Sequence, residues 1–323
     1  MWYSIKKNSL FKYFIMERVK CFIIGLGNIS VGYDRLNKNN NKFYTHSKSI
    51  NFLKSLNLLG GCDISKKKRD FFSNVYKKPV FKNIDIPIAQ LKPSLVVLST
   101  PTNTHLECVK ILSKYPFVKT LICEKPLSNN INEAKKIVAI CKKKKIKLFV
   151  NYFRISDPST QELKKKFIKK KNIFGYLYYS RGYFNNCSHF FNLFENIFGN
   201  FKEGKIIGNC KNYKKNDLLF NFYAKFGDAT IFFFYKNDNF DQFKFDIFYE
   251  QNQIKYRRNG EQILFLKKKM KTKQIKNLHN SYQLNVYNEL IKFFGKKNYF
   301  LCSGKDALKT INNMYKVLND KKI

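Results

Sequence analysis

The stretch Val19-Lys20-Cys21-Phe22-Ile23-Ile24-Gly25-Leu26-Gly27-Asn28-Ile29-Ser30 decides how the chain is read. Val19–Ile24 is a short, almost wholly apolar run, the pattern of a strand covered on both faces in a parallel sheet. Two glycines follow. The first allows a tight turn, and the second lets a pyrophosphate approach the backbone. The helix expected next would offer its N-terminal N–H groups and partial positive charge. The third glycine of the GxGxxG pattern is replaced by Ser30, with Gly32 two positions on. A lone GxG turn is common, so its meaning depends on the residues around it.

Working outward, the same grammar repeats. Leu95–Leu98 closes on Ser99-Thr100-Pro101, Val118–Cys123 on Glu124-Lys125-Pro126, and Ile146–Val150 is a further buried run. Helical patterns separate them. Leu106, Val109 and Leu112 share one face, as do Ala134, Ile137, Val138 and Cys141 behind an Asn130/Glu133 capping box. This alternation predicts a doubly wound parallel sheet. Beyond it the period changes. Phe243, Phe245, Ile247 and Tyr249 alternate with polar neighbours, and Leu219–Phe226, Thr230–Tyr235 and Ile263–Leu266 read as strands. Two helices close the chain, one carrying Tyr287, Leu290, Ile291 and Phe294, the other Leu308, Ile311, Tyr315 and Leu318 behind a Ser303 cap. The expected fold class is α/β: a tail at 1–16, a Rossmann domain at 17–153, and an α+β domain at 154–323 with a largely antiparallel open sheet.

Composition narrows the function. The chain has 323 residues, 44% hydrophobic and 26% charged, with a formal net charge of +40. That is a globular composition, and no apolar run reaches the ~18–20 residues of a membrane helix. Lysine runs such as Lys66–Lys68, Lys142–Lys145 and Lys267–Lys269 occur throughout, alongside abundant Asn, Phe, Ile and Tyr. A nucleic-acid surface would gather them in one stripe or beside a reading helix. The charge therefore reads as compositional drift, and no specific nucleic-acid partner is expected. The eight cysteines form no CxxC pair and no zinc spacing, which fits reduced thiols in a cytoplasm and no metal. The first 15 residues lack a continuous apolar core and a cleavage site, so no export signal is expected.

Several residues carry chemistry. Asp63, closing the apolar run Leu58–Cys62, stands where an acidic residue accepts hydrogen bonds from an adenosine ribose. It lies 38 positions after Gly25 rather than about 20, an excess assigned to a polar insertion at 35–42. An ionised Asp63 favours NAD over NADP. Lys66–Lys68 and Arg69 either reverse that preference or form a solvated helix start. Glu124-Lys125-Pro126 ends a parallel strand, where open α/β sheets place ligands, and desolvation there lowers an ammonium pKa. His105 either packs or touches ligand. His189, behind a Ser188 cap, would sit in a first helical turn whose dipole favours a neutral ring.

Taken together, these segments resemble the Gfo/Idh/MocA family, the glucose–fructose oxidoreductase and inositol 2-dehydrogenase relatives. The resemblance rests on the GLGN turn, Ser99–His105, Glu124-Lys125-Pro126, the motif ending at His189, and Asn151-Tyr152-Phe153-Arg154. It implies a nicotinamide cofactor, NAD with NADP as the other reading, bound by Gly25, Gly27, Asn28, Ile29, Asp63, Thr100, Pro101, Asn103, His105, Glu124 and Lys125. It implies a sugar, sugar-nucleotide or cyclitol substrate met by Lys125, Tyr152, Arg154, Asn185 and His189, with Lys125 and His189 catalytic. A homodimer or homotetramer through the C-terminal sheet is also implied. Tyr152, Arg154 and Asp157 have a second reading, as junction packing. Many relatives carry Asp where this chain has Asn185, which keeps open a rival reading as a non-catalytic cofactor-binding regulator.

Overall fold

The computed structural model describes residues 18–35, 41–213, 217–236, 243–267, 273–275 and 281–319. The expected tail at 1–16 and the centre of the polar insertion, 36–40, lie outside these residues.

The strand Val19–Ile24 (β1) lies inside a six-stranded, wholly parallel sheet. Its partners are Leu56–Cys62 (β2), Val80–Phe81 (β3), Leu95–Leu98 (β4), Thr120–Cys123 (β5) and Lys147–Val150 (β6), in the order β3-β2-β1-β4-β5-β6. The order reverses between β1 and β4, the switch point at which such sheets open a crevice at their carboxyl ends. Alternation along β1 explains why both faces are covered. Cys21 and Ile23 join a core with Ile50 of helix His46–Phe52 (α1) and Phe72 of Lys66–Tyr76 (α2), while Phe22 and Ile24 join the opposite one. The second core takes Ile88 from Asp85–Leu91 (α3), Val109 and Leu112 from His105–Leu112 (α4), and Ala134 and Ile137 from Ile131–Lys143 (α5). The Asn130 side chain caps α5 as expected, accepting from the N–H groups of Asn132 and Glu133. The Glu133 carboxylate does not close the box, because it accepts from the Ser128 hydroxyl instead.

The second sheet has eight strands in the order β14-β13-β12-β11-β7-β10-β9-β8. They are Ile173–Tyr179 (β7), Phe201–Tyr213 (β8), Asp217–Phe226 (β9), Ala229–Tyr235 (β10), Lys244–Tyr249 (β11), Asn252–Arg257 (β12), Gln262–Lys267 (β13) and Lys273–Ile275 (β14). Only β7 and β10 pair in parallel, so the sheet is open and largely antiparallel. Pro158–Phe167 (α6) and Ser188–Phe198 (α7) cover one face over an aromatic core, in which Phe222 and Phe233 stack with centroids 4.2 Å apart. The other face shows a row of rings, among them Phe174, Phe232 and Phe248, with Phe174 47% exposed.

The two closing helices return to the first sheet. Tyr287 and Leu290 of Tyr282–Phe294 (α8) complete the core beside α1. Gly304–Asn319 (α9) places Ala307 and Ile311 against the Rossmann core and Met314 and Val317 against the aromatic one. Ser303 caps α9 by accepting from the Asp306 N–H. No described helix is long and apolar enough to cross a membrane. The eight cysteines are unpaired and seven are buried, where they pack as small apolar groups.

Candidate active site at the carboxyl ends of the parallel strands

The glycine turn is built against β4. Gly25 has φ +90°, and a Cβ there would lie 2.7 Å from the Ser99 carbonyl carbon and 2.8 Å from the Thr100 nitrogen. The Ser30 hydroxyl meets the Gly25 carbonyl oxygen at 2.6 Å and the Ser99 hydroxyl at 2.6 Å, which locks the turn to that neighbouring strand end. The α-helix expected directly after the turn is absent. The N–H groups of Ser30, Val31 and Gly32 all turn back to the Gly27 carbonyl, a single 3-10 turn follows at Gly32–Asp34, and α1 begins only at His46. The N–H groups of Gly27, Asn28 and Ile29 have no acceptor among the described residues. Three successive free N–H groups form an anion cradle without a helix. A Cβ on Gly27 would meet nothing within 4 Å, so its absence leaves space for a ligand and not for a neighbouring chain atom. The residues present thus fit a nucleotide pyrophosphate.

Beyond the turn a cleft of about 660 Å³ is lined by Leu26, Gly27, Asn28, Arg35, Lys66–Lys68 and Phe71. Asp63 does not line this cleft but is bonded to Leu26 of its wall. One carboxylate oxygen accepts from the Leu26 N–H at 2.9 Å, the other from the Ser65 N–H at 2.8 Å, and the Lys68 ammonium lies 3.6 Å away.

A second cleft, about 530 Å³, opens on the other side of the turn between Ile29, Ser99, Thr100 and the second domain. Lys125 and His189 both line it. The Lys125 ammonium donates to the backbone oxygen of Asn185 at 2.7 Å and to its side-chain oxygen at 3.0 Å. Burial pushes its pKa down to about 8; Arg154 adds to that lowering, and Glu124 and Asp217 oppose it. His189 is nearly buried, with the rings of Tyr152 and Phe153 edge-on at 5.6 Å and 5.1 Å. Its Nδ1 is sealed off without a partner, which leaves Nε2 as the nitrogen facing the cleft. Burial, then the charges of Lys125 and Arg154, hold its pKa well below 6.5, so the ring is neutral at pH 7. The cause differs from the dipole argument. A π-helical turn, Tyr183–Cys187, runs straight into α7, so His189 lies beyond the first turn. Ser188 is already helical and donates to the Asn185 carbonyl at 3.3 Å instead of capping.

Glu124 forms the floor. His46 Nε2 lies 2.9 Å from one of its oxygens and Asn151 donates to the same oxygen at 2.5 Å, while His46 Nδ1 meets the Tyr287 hydroxyl at 2.8 Å. Burial raises the Glu124 pKa, but the His46 hydrogen bond and charge, Asn151 and Lys125 outweigh it, and the carboxyl stays ionised. Asp217 braces the opposite wall, accepting from the N–H groups of Phe184 and Asn185 at 2.9 and 3.0 Å.

The structure therefore brings Thr100, Glu124, Lys125, Arg154 and His189 into one cleft with Ile29 and places Asn185 against Lys125. Pro101 and Asn103 sit exposed on the rim after β4. His105 is fully buried, its nitrogens each 3.1 Å from the Leu127 and Thr100 carbonyl oxygens, which is the packing reading of that residue. Tyr152 lies behind the cleft and supports His189, and Asp157 caps α6 through the Ser159 N–H. Neither is among the residues that line the cleft. Sequence reasoning missed His46, Asp217, Arg181 and Tyr282. His46 and Asp217 reach the site from α1 and β9, far from the motif segments, and no local pattern marks them.

Fold, switch-point turn and N–H cradle together define a Rossmann domain suited to a dinucleotide. Residues 19–152 match the family model described as "Oxidoreductase family, NAD-binding Rossmann fold", that of Gfo/Idh/MocA. The N-terminal unit is thus an NAD-binding Rossmann domain of Gfo/Idh/MocA type. A comparison with curated proteins returned no match. Among solved structures, an oxidoreductase from Agrobacterium radiobacter in complex with NAD+, L-tartaric acid and magnesium aligns with TM-score 0.74 at 14% identity, covering 94% of this chain and 96% of that one. UDP-N-acetylglucosamine 3-dehydrogenase from Acidithiobacillus ferrooxidans aligns with TM-score 0.74 at 12% identity, covering 94% and 98%. The WlbA dehydrogenase from Bordetella pertussis, in complex with NADH and UDP-GlcNAcA, gives 0.71 at 14%, covering 94% and 96%. At these identities the likeness is one of fold, and it extends over both domains.

Proposed function

We propose that the protein transfers a hydride between a nicotinamide cofactor and a secondary hydroxyl of a sugar, sugar nucleotide or cyclitol, with Lys125 and His189 handling the hydroxyl proton. The observation that carries this reading is the convergence of the Lys125 ammonium and the open Nε2 of a neutral His189 in one cleft beside the glycine turn. Bound along the turn, the cofactor supplies a nicotinamide that accepts or gives the hydride. Gly27, Asn28 and Ile29 hold its pyrophosphate, Asp63 its ribose, and Thr100 and Glu124 the nicotinamide side. NAD is the preferred partner because an acidic residue at the end of β2, Asp63, suits a ribose hydroxyl and disfavours a 2′-phosphate. The substrate space lies across the division near 153/154, and a cytoplasmic setting suits the unpaired thiols.

In the oxidation direction the substrate hydroxyl donates to His189 Nε2 and accepts from the Lys125 ammonium. As the C–H electron pair leaves, the O–H proton passes to His189 and the carbonyl forms. Lys125 stabilises the negative charge that grows on the oxygen. Asn185 cannot relay that proton, but its two oxygens aim the ammonium. Asp217 supplies the carboxylate charge behind it.

The two pKa directions fix a pH profile. Lys125 is charged below about pH 8 and loses its charge above, whereas His189 is neutral until well below pH 6.5. The kcat/KM for oxidation is expected to be flat from pH 6.5 to near 8 and to fall above it, with an acid limb displaced below the ordinary histidine range. Steady-state rates across pH 5–10 check this, and Lys125→Arg should move the alkaline limb upward. A profile centred on an ordinary histidine pKa would contradict it.

We also assign the aromatic outer face of the second sheet to a homodimer or homotetramer contact, since an exposed row of rings this size is uncommon on a monomer. Phe174→Asp with Phe232→Asp should yield a monomer by light scattering, with the wild type at least dimeric. A monomeric wild type would remove the assignment.

A further inference from the structure

The cleft gathers three cationic side chains from both domains. Lys125, Arg154 and Arg181 line it. Glu124, the carboxylate among its described lining residues, is engaged by His46 and Asn151. Arg154 is the informative cation. It is 8% exposed, and its guanidinium lies 4.5 Å and 4.7 Å from the ring centroids of Phe190 and Phe153. Its Nε donates to the Tyr256 hydroxyl at 3.3 Å. No carboxylate among the described residues lies within ion-pair distance of it; Asp157, three positions on, attracts it through space, but its bonded oxygen accepts from Ser159. Neither Nη is sealed off or hydrogen-bonded among those residues, so both face the cleft.

A buried guanidinium with no carboxylate in contact is costly, and aromatic faces fix its plane without satisfying its N–H groups. Its free edge presents a planar fork that matches a carboxylate or phosphate through two parallel hydrogen bonds. The cofactor phosphates are not that partner. Their cradle lies at Gly27–Ile29, and the neighbouring basic cleft does not include Arg154.

We infer that the substrate carries an oxyanion, a carboxylate or a phosphate, which the Nη pair of Arg154 holds while its hydroxyl meets Lys125 and His189. Acidic sugars are then the substrate class and neutral polyols the poor one. The inference rests on the dehydrogenase reading and narrows it. The test loads the full chain with NADH and titrates D-glucuronate, D-glucose 6-phosphate and D-glucose by calorimetry, in wild type, Arg154→Met and Arg154→Lys. At least one acid is expected to bind about ten- to a hundredfold more tightly than glucose, the magnitude of a charge-assisted pair. Arg154→Met should erase that advantage and Arg154→Lys should restore part of it. Which acid binds tells carboxylate from phosphate. Equal binding of glucose, an advantage that survives in Arg154→Met, or no binding by either acid at millimolar concentration would overturn the inference. NADH affinity, unchanged in both variants, reports folding. Failure of the wild type to bind NADH would instead overturn the dehydrogenase reading.

Discussion

Lys125→Met is expected to lower kcat/KM for alcohol oxidation by about a thousandfold, about 4 kcal/mol of transition-state stabilisation. The ammonium is positioned before substrate arrives: two oxygens of Asn185 hold it at 2.7 and 3.0 Å, and Glu124 and Asp217 keep it charged against burial. A neutral side chain of similar length keeps the packing and removes the charge, so the loss should appear mainly in kcat. NADH affinity should change little. His189→Ala should cost about 10²–10⁴, the range of a positioned proton acceptor. The double variant should lose less than the product of the two, because both groups act on one oxygen. Full activity in Lys125→Met would remove the proposed chemistry while leaving the fold intact.

The second large effect is structural. Gly25→Ala is expected to destabilise the protein by about 3 kcal/mol and to abolish nucleotide binding. At φ +90° an L side chain is strained, and the new Cβ would sit 2.7 Å from the Ser99 carbonyl carbon, a backbone atom directly after β4 that cannot yield locally. The turn would have to part from β4, which breaks the Ser30–Ser99 link and moves the N–H cradle. Chemical denaturation with a parallel NADH titration checks both halves. A stable Gly25→Ala protein that still binds NADH would contradict this account of the turn.

Which parts of the molecule were legible follows from where the information resides. The parallel strands were readable because burial on both faces leaves continuous apolar runs, and the Asn130 cap because its partners are two and three residues away. The inward face of β11 was readable as the period-two alternation of Phe245, Ile247 and Tyr249. The helix after the glycine turn was misplaced because the fingerprint assumes that N–H groups of the next helix serve the pyrophosphate. In this chain Ser30, Val31 and Gly32 spend theirs on the Gly27 carbonyl. His46 and Asp217 carry no local pattern, and only tertiary packing brings them beside Glu124 and Asn185. The neutral state of His189 was foreseen, but its main cause is burial, which a single sequence does not display. Arg154 was marked by its segment, whereas its lack of a carboxylate in contact shows only in three dimensions.

The central claim is that a nicotinamide dinucleotide lies along the turn at Gly25–Ile29. Gly27→Val tests it directly, because a Cβ there meets no protein atom within 4 Å and the side chain would grow into the space left for the pyrophosphate. NADH fluorescence would be titrated against wild type and Gly27→Val, with melting curves of both without ligand. The account predicts saturable binding by the wild type, a loss of at least about a hundredfold in the variant, and superimposable melting curves. Equal NADH affinity in the two proteins, or none in the wild type at millimolar concentration, would contradict it.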